Sequence, residues 1–303
     1  MSSSALAAIA EHLLGSGVKS LSAADERDGD SATAWRGRFG AAVPLLIAPT
    51  AATLRRKRIQ VAIASPGIPP HSALRRATEQ AKLRRTTATD LWLGDNAART
   101  TAVTGSKGKS TTAALVRAIS VAHGVGCELG GNIGIPLLGL PEAERYAAEL
   151  SSYQCSSVTT SPDVVVLTAL FPEHLDWHGS EEQYYADKLN LIAHGPRRVL
   201  ANGEDPRLVA ALERFHPDAE IEWVGSTGSH WTVSGRAGAR EILRDGARFV
   251  DASTLPLVGR HNLRNAALAL AAVEAAGTEL DPQAALDALA GFRPLEHRLE
   301  RVA

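Results

Sequence analysis

Two patterns of apolar positions alternate along this chain. The first is the short, nearly unbroken run, as in "RIQVAIASPGIPP" (58–70) and "VVVLTAL" (164–170). Runs of that length with no polar face suit parallel strands covered on both sides. The second is the longer stretch in which apolar residues recur at helical spacing. It occurs in "SALAAIAEHLL" (4–14), which Gly15 can end, and in "HSALRRATEQAKL" directly after the first strand run. It returns over 110–123, from about Glu181 behind a Ser180-x-x-Gln183 capping box, and in "HNLRNAALALAAVEAAG" (261–277).

In chain order these elements form two units. Residues 1–97 read as a small α/β unit, with a short strand in "VKSLSAADERD" (18–28) and the strand of 58–70 terminated by Ser65-Pro66-Gly67. A second unit, 98–303, opens at the polar stretch "GDNAART" (94–100). It continues through a strand at Thr101–Thr104, a glycine loop, a helix, the strands "RYAAELSS" and "VVVLTAL", the helix from Glu181 and the strand "RRVLANGE". Strands alternating with helices imply right-handed crossovers and a mostly parallel sheet. Short strands with glycine turns over 221–258 predict a small antiparallel extension. The fold class is α/β, in two units.

Composition narrows the partners. A net charge of −1 draws the chain to neither nucleic acid nor membrane, which points to a small-molecule substrate. Cys127 and Cys155 are the only cysteines and are expected to be reduced core residues of a cytoplasmic, monomeric protein. The stretch "MSSSALAAIAEHLLGSG" lacks a basic leader and is interrupted by Glu11 and His12, so it does not read as a signal peptide. No window offers the roughly twenty apolar residues of a membrane span.

The candidate chemistry begins at "VTGSKGKSTTAALV" (103–116), a glycine loop between a strand and a helix. Unpaired N–H groups at the start of that helix, together with its dipole, favour an anion. Lys109 adds a point charge for outer phosphates, and the Ser110 hydroxyl can ligate Mg²⁺. The glycine that a standard phosphate loop carries six residues before the lysine is Val103 here, so the match is the shorter Gly105-x-x-Gly108-Lys109-Ser110-Thr111. Glu149 ends an apolar strand, where open α/β sheets hold ligand groups and where a carboxylate is costly without a cationic partner. "LFPEHLDWHGS" (170–180) gathers Glu173, His174, Asp176 and His178; its spacing is not that of a zinc site, and a solvated loop is the expectation. Lys188 shares a helix face with Tyr184 and Ile192; a partly desolvated lysine there has a lowered pKa, and a lysine that snorkels its ammonium to solvent is the commoner alternative. The run "LRRKR" (54–58) reads as a solvated face.

Seven words, "TGSKGKSTT", "GGNIGIP", "ELSSYQ", "PEHLDWHGS", "YYADKLNLI", "GRHNLRNAALAL" and "HRLE", resemble the Mur ligase family in order and spacing over about 58–303. That family comprises ATP-dependent amino-acid ligases of peptidoglycan precursor synthesis. "ASPGIPPHSAL" and "ELSSYQ" resemble its branch that adds glutamate to UDP-N-acetylmuramoyl-L-alanine. "SKGKST", "PEHLDWHG" and "ADKL" are closer to an L-glutamate-adding variant than to the D-adding enzymes. The resemblance implies a Rossmann-like, UDP-sugar-binding N-terminal unit and a central phosphate-loop domain that binds ATP and Mg²⁺. Gly105, Ser106, Lys107, Gly108, Lys109, Ser110 and Thr111 would cradle ATP, Asn262 and Asn265 would face adenine, and Arg298 would reach the nucleotide. Ser110, Glu149, His174 and a carbamylated Lys188 would serve the metals, with Lys109, Glu149, His174 and Lys188 as the catalytic set. Asn132, Ser151 and Gln154 would meet the sugar and diphosphate, and Ser65, Gly67, Asp25 and Arg27 the uridine half. The implied reaction forms an acyl phosphate and ADP before the glutamate amine attacks.

Two departures accompany the match. No Gly-x-Gly-x-x-Gly lies near residue 1, so the first strand of the N-terminal unit is expected to be absent. Residues 1–303 stop just after "HRLE", where the family's glutamate-binding third domain begins, so this polypeptide alone is not expected to complete ligation. Folylpolyglutamate synthase (FPGS) is the nearest rival, and "GGNIGIP" and "SPGI" argue against it. A non-catalytic remnant that binds ATP and the UDP-sugar is the other, against which the retained Lys109, Glu149, His174 and Lys188 weigh. A regulatory GTPase would need an Asn-Lys-x-Asp-like word.

Overall fold

The computed structural model describes residues 3–236, 239–253, 255–256 and 259–293. The first unit runs α1 (Ser3–Gly15), β1 (Ala23–Asp25), α2 (Asp30–Phe39), β2 (Leu45–Ile47), α3 (Ala51–Arg56), β3 (Val61–Ala64), α4 (Ala73–Gln80), β4 (Arg84–Thr87) and α5 (Ala88–Asn96). Then follow β5 (Thr100–Thr104), α6 (Lys109–Ala122), β6 (Cys127–Gly131), β7 (Arg145–Glu149), α7 (Ser152–Cys155), β8 (Val164–Leu167), α8 (Leu175–His178) and α9 (Glu181–Leu189). The chain continues through β9 (Arg198–Asn202), α10 (Pro206–Phe215), β10 (Ile221–Val224), β11 (Trp231–Arg236), β12 (Ala239–Arg244), β13 (Ala247–Asp251), α11 (Arg260–Ala275) and α12 (Pro282–Ala290).

A nine-stranded sheet of order β13-β12-β11-β10-β9-β8-β5-β7-β6 organises the second unit. From β6 to β10 every pairing is parallel, while β11, β12 and β13 form the antiparallel extension. Successive strand residues point to opposite faces. Val103, Ala147, Val164, Val166 and Leu200 therefore join one core with α6 and α11. Ala102, Tyr146, Ala148, Val165 and Leu167 join the other, with Trp92 and Leu93 of α5 and with α9 and α10. Both faces are dry, so β5 and β8 are buried along their whole length, which explains why their sequences carry no polar alternation.

The first unit is built differently. β1 pairs only with β2, and β3 only with β4, each in parallel. Between the pairs lies an apolar cavity of about 670 Å³, lined in part by Ile9, Ala23, Leu46, Ala62, Ile63 and Ala64. Its separate small core consists of Ala51, Leu54, Ala77 and Ala81.

Local chemistry sets the helix ends. Thr50, Ser72, Thr87 and Ser180 cap α3, α4, α5 and α9 with side-chain oxygens. Asp205-Pro206 and Asp281-Pro282 start α10 and α12. The segment expected as a solvated loop at 170–180 contains the one-turn α8, which buries Trp177 and His178. Arg55 to Arg58 are exposed as expected, but Leu54 is buried. Both cysteines are free and buried, and burial pushes the Cys127 thiol up to about 11. No helix among the described residues is long and apolar enough to cross a membrane.

Candidate functional site

The parallel strands β5, β7 and β8 end side by side, and the loop 105–108 leaves β5 between them. Two glycines there have no substitute. Gly105 takes φ +144, and a Cβ on it would lie 2.0 Å from Thr168 Oγ1 and 3.0 Å from Ala169 backbone atoms. Gly108, at φ +90, precedes α6, and its Cβ would meet Asn265 Oδ1 at 2.7 Å. Close backbone approach thus selects glycine at both positions. Asn265, buried in the first turns of α11, lies against Gly108 and donates to Oδ1 of the buried Asn262 at 3.4 Å.

Hydrogen bonds fix the loop from beneath. Ser106 N donates to Ala169 O at 2.6 Å, and Thr168 Oγ1 donates to Lys107 O at 2.7 Å. Ser106 Oγ donates to Phe171 O at 2.7 Å and accepts from Phe171 N at 2.8 Å. The single hydroxyl proton is then in use, so Tyr184 OH, 2.8 Å away, is the donor to Ser106. The Ser106 side chain therefore anchors the loop to the protein. Lys109 Nζ donates to Ser106 O at 2.9 Å, while Lys107, largely exposed, pairs with Glu173 at 2.7 Å across the mouth. Thr111 lies in the first turn of α6.

Lys188 is more deeply buried than a shared helix face implied, at 2 % exposure. Its Nζ donates to Gly105 O at 2.8 Å and lies 5.0 Å from the Tyr184 ring centroid. Burial pulls its pKa down to about 8; the nearby Lys109 charge works in the same direction, and Cys155, Glu173 and Glu149 oppose it. Helix α9 thus holds the glycine loop at two points, through Tyr184 and through Lys188.

Glu149 ends β7 opposite Val103 and is fully buried. Its Oε1 accepts from Asn132 Nδ2 at 3.1 Å, and Asn132 N donates to Glu149 O at 2.8 Å. Its Oε2 has no hydrogen-bond partner, and neither has Ser110 Oγ, also fully buried at the start of α6. Buried polar atoms are rarely left without partners unless a ligand completes them. Two hard oxygen donors beside an anion-binding helix start fit Mg²⁺, which keeps water and phosphate oxygens as its remaining ligands.

The other residues singled out by sequence fall around this centre or in the first unit. His174, exposed and left-handed at φ 56, caps α8 with its ring 5.0 Å from Tyr153. Ser151 and Gln154 form a reciprocal capping box on α7, and Gln154 Nε2 donates to Thr89 Oγ1 at 3.2 Å. Asp25 ends β1, accepting from Arg27 N at 3.1 Å. Ser65 is buried just past β3, where Ile68 N closes the turn around Gly67. Asp25, Ser65 and Ser151 stand at or just past the C-terminal ends of the parallel strands β1, β3 and β7, the usual ligand edge of such sheets. Arg298 lies outside the described residues.

Sequence reasoning missed Thr168, Ser152, Asp187 and the roles of Tyr184 and His178. Thr168 follows β8, the neighbour of the loop-bearing strand, and that strand-end position was its only signal.

The Mur ligase middle domain matches residues 103–273, more than half of the chain. A UDP-N-acetylmuramoyl-L-alanine–L-glutamate ligase of Salinispora tropica is 41% identical over 302 residues, covering 98% of this chain and 65% of that protein. The chain therefore spans just under two thirds of that relative's length. Among solved structures, the UDP-N-acetylmuramate:L-alanyl-gamma-D-glutamyl-meso-diaminopimelate ligase of Neisseria meningitides superposes with TM-score 0.62 at 19% identity, over 95% of each chain. An FPGS–AMPPCP complex superposes with TM-score 0.55 at 18% identity, over 71% of this chain and 69% of that one. The fold likeness to the first of these thus extends over more of the chain than the likeness to FPGS. By its sheet, its glycine loop and the match over 103–273, the chain belongs to the Mur ligase family.

Proposed function

We propose that this chain is the UDP-sugar- and ATP-binding part of an ADP-forming ligase that joins glutamate, in the L form, to UDP-N-acetylmuramoyl-L-alanine in the cytoplasm. The observation that carries the reading is the pair of orphaned buried oxygens, Ser110 Oγ and Glu149 Oε2, beside the glycine loop. The name of the Salinispora tropica relative supports the substrate and the stereochemistry.

In this reading the backbone N–H groups of Gly105–Thr111 and the Lys109 ammonium hold the triphosphate, and Asn262 and Asn265 flank the adenine, with Arg298 reaching the nucleotide. Ser110, Glu149, His174 and Lys188 hold Mg²⁺, with Lys188 present as its carbamate. When bound, the metal neutralises charge on the transferring phosphoryl group. The low pKa of Lys188 leaves a usable fraction of neutral amine near neutral pH, which can add to dissolved CO₂ and release one proton to give the carbamate. Asn132, Ser151 and Gln154 orient the sugar and diphosphate, while Asp25, Arg27, Ser65 and Gly67 hold the uridine. The alanyl carboxylate attacks the γ-phosphorus and ADP leaves. The glutamate amine then attacks the acyl carbon, forming the amide and expelling phosphate. Lys109 stays with the phosphates throughout, so its contribution is electrostatic.

Titration calorimetry with AMPPCP and Mg²⁺ tests the reading. Lys109→Ala is expected to weaken binding at least 100-fold with an unchanged melting temperature. UDP-N-acetylmuramoyl-L-alanine, and not a folate, is expected to tighten it. Equal affinity in parent and variant would remove the reading.

A further inference from the structure

One side chain near the site belongs to none of these roles. His178 ends α8, and its side chain is completely buried. Its Nδ1 lies 2.5 Å from Asp187 Oδ2, and its Nε2 3.0 Å from Ser152 Oγ. A carboxylate only accepts, so Nδ1 carries the proton, and Nε2 accepts from the Ser152 hydroxyl. Asp187 is fixed from its other side, because Gln183 Nε2 donates to Oδ1 at 2.7 Å. The imidazole stacks on Tyr153 with centroids 5.5 Å apart and 2° between planes, and meets the Tyr184 ring edge-on at 5.1 Å.

The Ser–His–Asp order suggests a nucleophile, but the arrangement excludes one. Ser152 is 3 % exposed, and the triad is enclosed by Tyr153, Trp177 and Tyr184. An acyl carbon has no approach to Ser152 Oγ. What the three residues share is their attachment. Ser152 begins the helix that follows Glu149 and Leu150, Asp187 directly precedes Lys188, and His178 anchors the single turn that His174 caps. The His174 carbonyl accepts from both Trp177 N and His178 N. Nothing else among the described hydrogen bonds joins those three segments through one group.

We propose that His178 is a positioning residue that sets Glu149, His174 and Lys188 in mutual register for the metal. This rests on the reading given under Proposed function. The glycine loop also has anchors that involve neither His178 nor its partners: Ser106 to Ala169 and Phe171, and Thr168 to Lys107. Loss of His178 therefore acts on the metal-dependent part of nucleotide binding and spares the metal-free part.

The test measures AMPPCP affinity of residues 1–303 with and without Mg²⁺, for the parent, His178→Phe, His178→Gln and Ser152→Ala. Phenylalanine keeps the stacked ring and loses both hydrogen bonds. The expected result is metal-free affinity within threefold of the parent in every variant. The Mg²⁺-dependent enhancement should fall at least tenfold in His178→Phe and less in Ser152→Ala, with partial recovery in His178→Gln. A ¹⁵N-histidine spectrum of the parent should also give an Nδ1-protonated neutral ring for His178. An undiminished enhancement in His178→Phe overturns the assignment, as does a parallel loss of metal-free affinity, which marks a role in the fold alone. A parent whose binding ignores Mg²⁺ removes both this inference and the ligase reading; a normal parent with a normal variant removes only the inference.

Discussion

The two units of this chain use the same βα vocabulary with opposite results. In the second unit, strands from β6 to β10 pair continuously, and the alternate faces of β5, β7 and β8 are sealed by helices. In the first, two strand pairs stand apart, with a cavity of about 670 Å³ between them and a core of four small or medium side chains. A loop that must hold backbone amides in one arrangement needs surroundings that cannot yield, and only the closely packed unit offers them. The first unit has slack, and slack predicts local opening well below the global stability.

Gly105→Ala attacks the packed side of this contrast most directly. The new methyl would overlap Thr168 and crowd the Ala169 backbone in a conformation that side chains rarely adopt. A loss of about 4 kcal/mol or more is expected, with nucleotide binding abolished. Chemical denaturation and calorimetry read both, and an alanine variant of near-parent stability would show that the loop is looser than described.

Lys188 gives a pH signature to the same region. In CO₂-free buffer, where Lys188 is the unmodified amine, its folded pKa is about 8 against the ordinary value of 10.5, so the unfolded chain binds more protons between those limits. Stability is therefore expected to rise from pH 8 towards 10.5, by about 3 kcal/mol in all, with the full burial penalty present below pH 8. Denaturation series at stepped pH should show this rise in the parent and not in Lys188→Met. Matching slopes would mean that Lys188 is better solvated than its surroundings indicate.

The gentlest comparison adds a methyl pair to each unit. Ala148→Val, at a fully buried position of the second unit, is expected to cost about 1–3 kcal/mol through overpacking. Ala62→Val, beside the cavity, has room and is expected to change stability by less than about 1 kcal/mol. Equal costs would erase the difference in packing between the units.

Much of this was legible in the chain itself. The apolar run at 164–167 specifies a buried strand, because a strand with no polar face must be covered twice. The run ending at 61–64 does form β3, but beside the cavity its residues are only half-buried and Val61 is exposed, so the expected double cover fails there. The glycines of 105–108 specify the tight junction between β5 and α6, because both Gly105 and Gly108 adopt positive φ where a Cβ would meet other atoms. Other elements were hidden for identifiable reasons. The short strand expected within 18–28 is β1, whereas β2, also three residues long, is too short for periodicity and was not legible. β6, "CELGG", carries glycines that weaken a strand signal. α10 and α12 follow Asp-Pro caps that mark helix starts, a signal present but not used.

The sequence by itself determined which residues could do chemistry and which segments had to be buried, since composition and periodicity act locally. The tertiary structure alone decided what each polar atom faces. It turned the Ser106 hydroxyl into the protein, left Ser110 Oγ and Glu149 Oε2 without partners, and enclosed the His178 ring between Asp187 and Ser152. Those outcomes depend on contacts between residues as far as 65 and 83 positions apart, as in Ser106 with Phe171 and Gly105 with Lys188. Burial and pairing at such separations are properties of the packed sheet, and no local pattern encodes them.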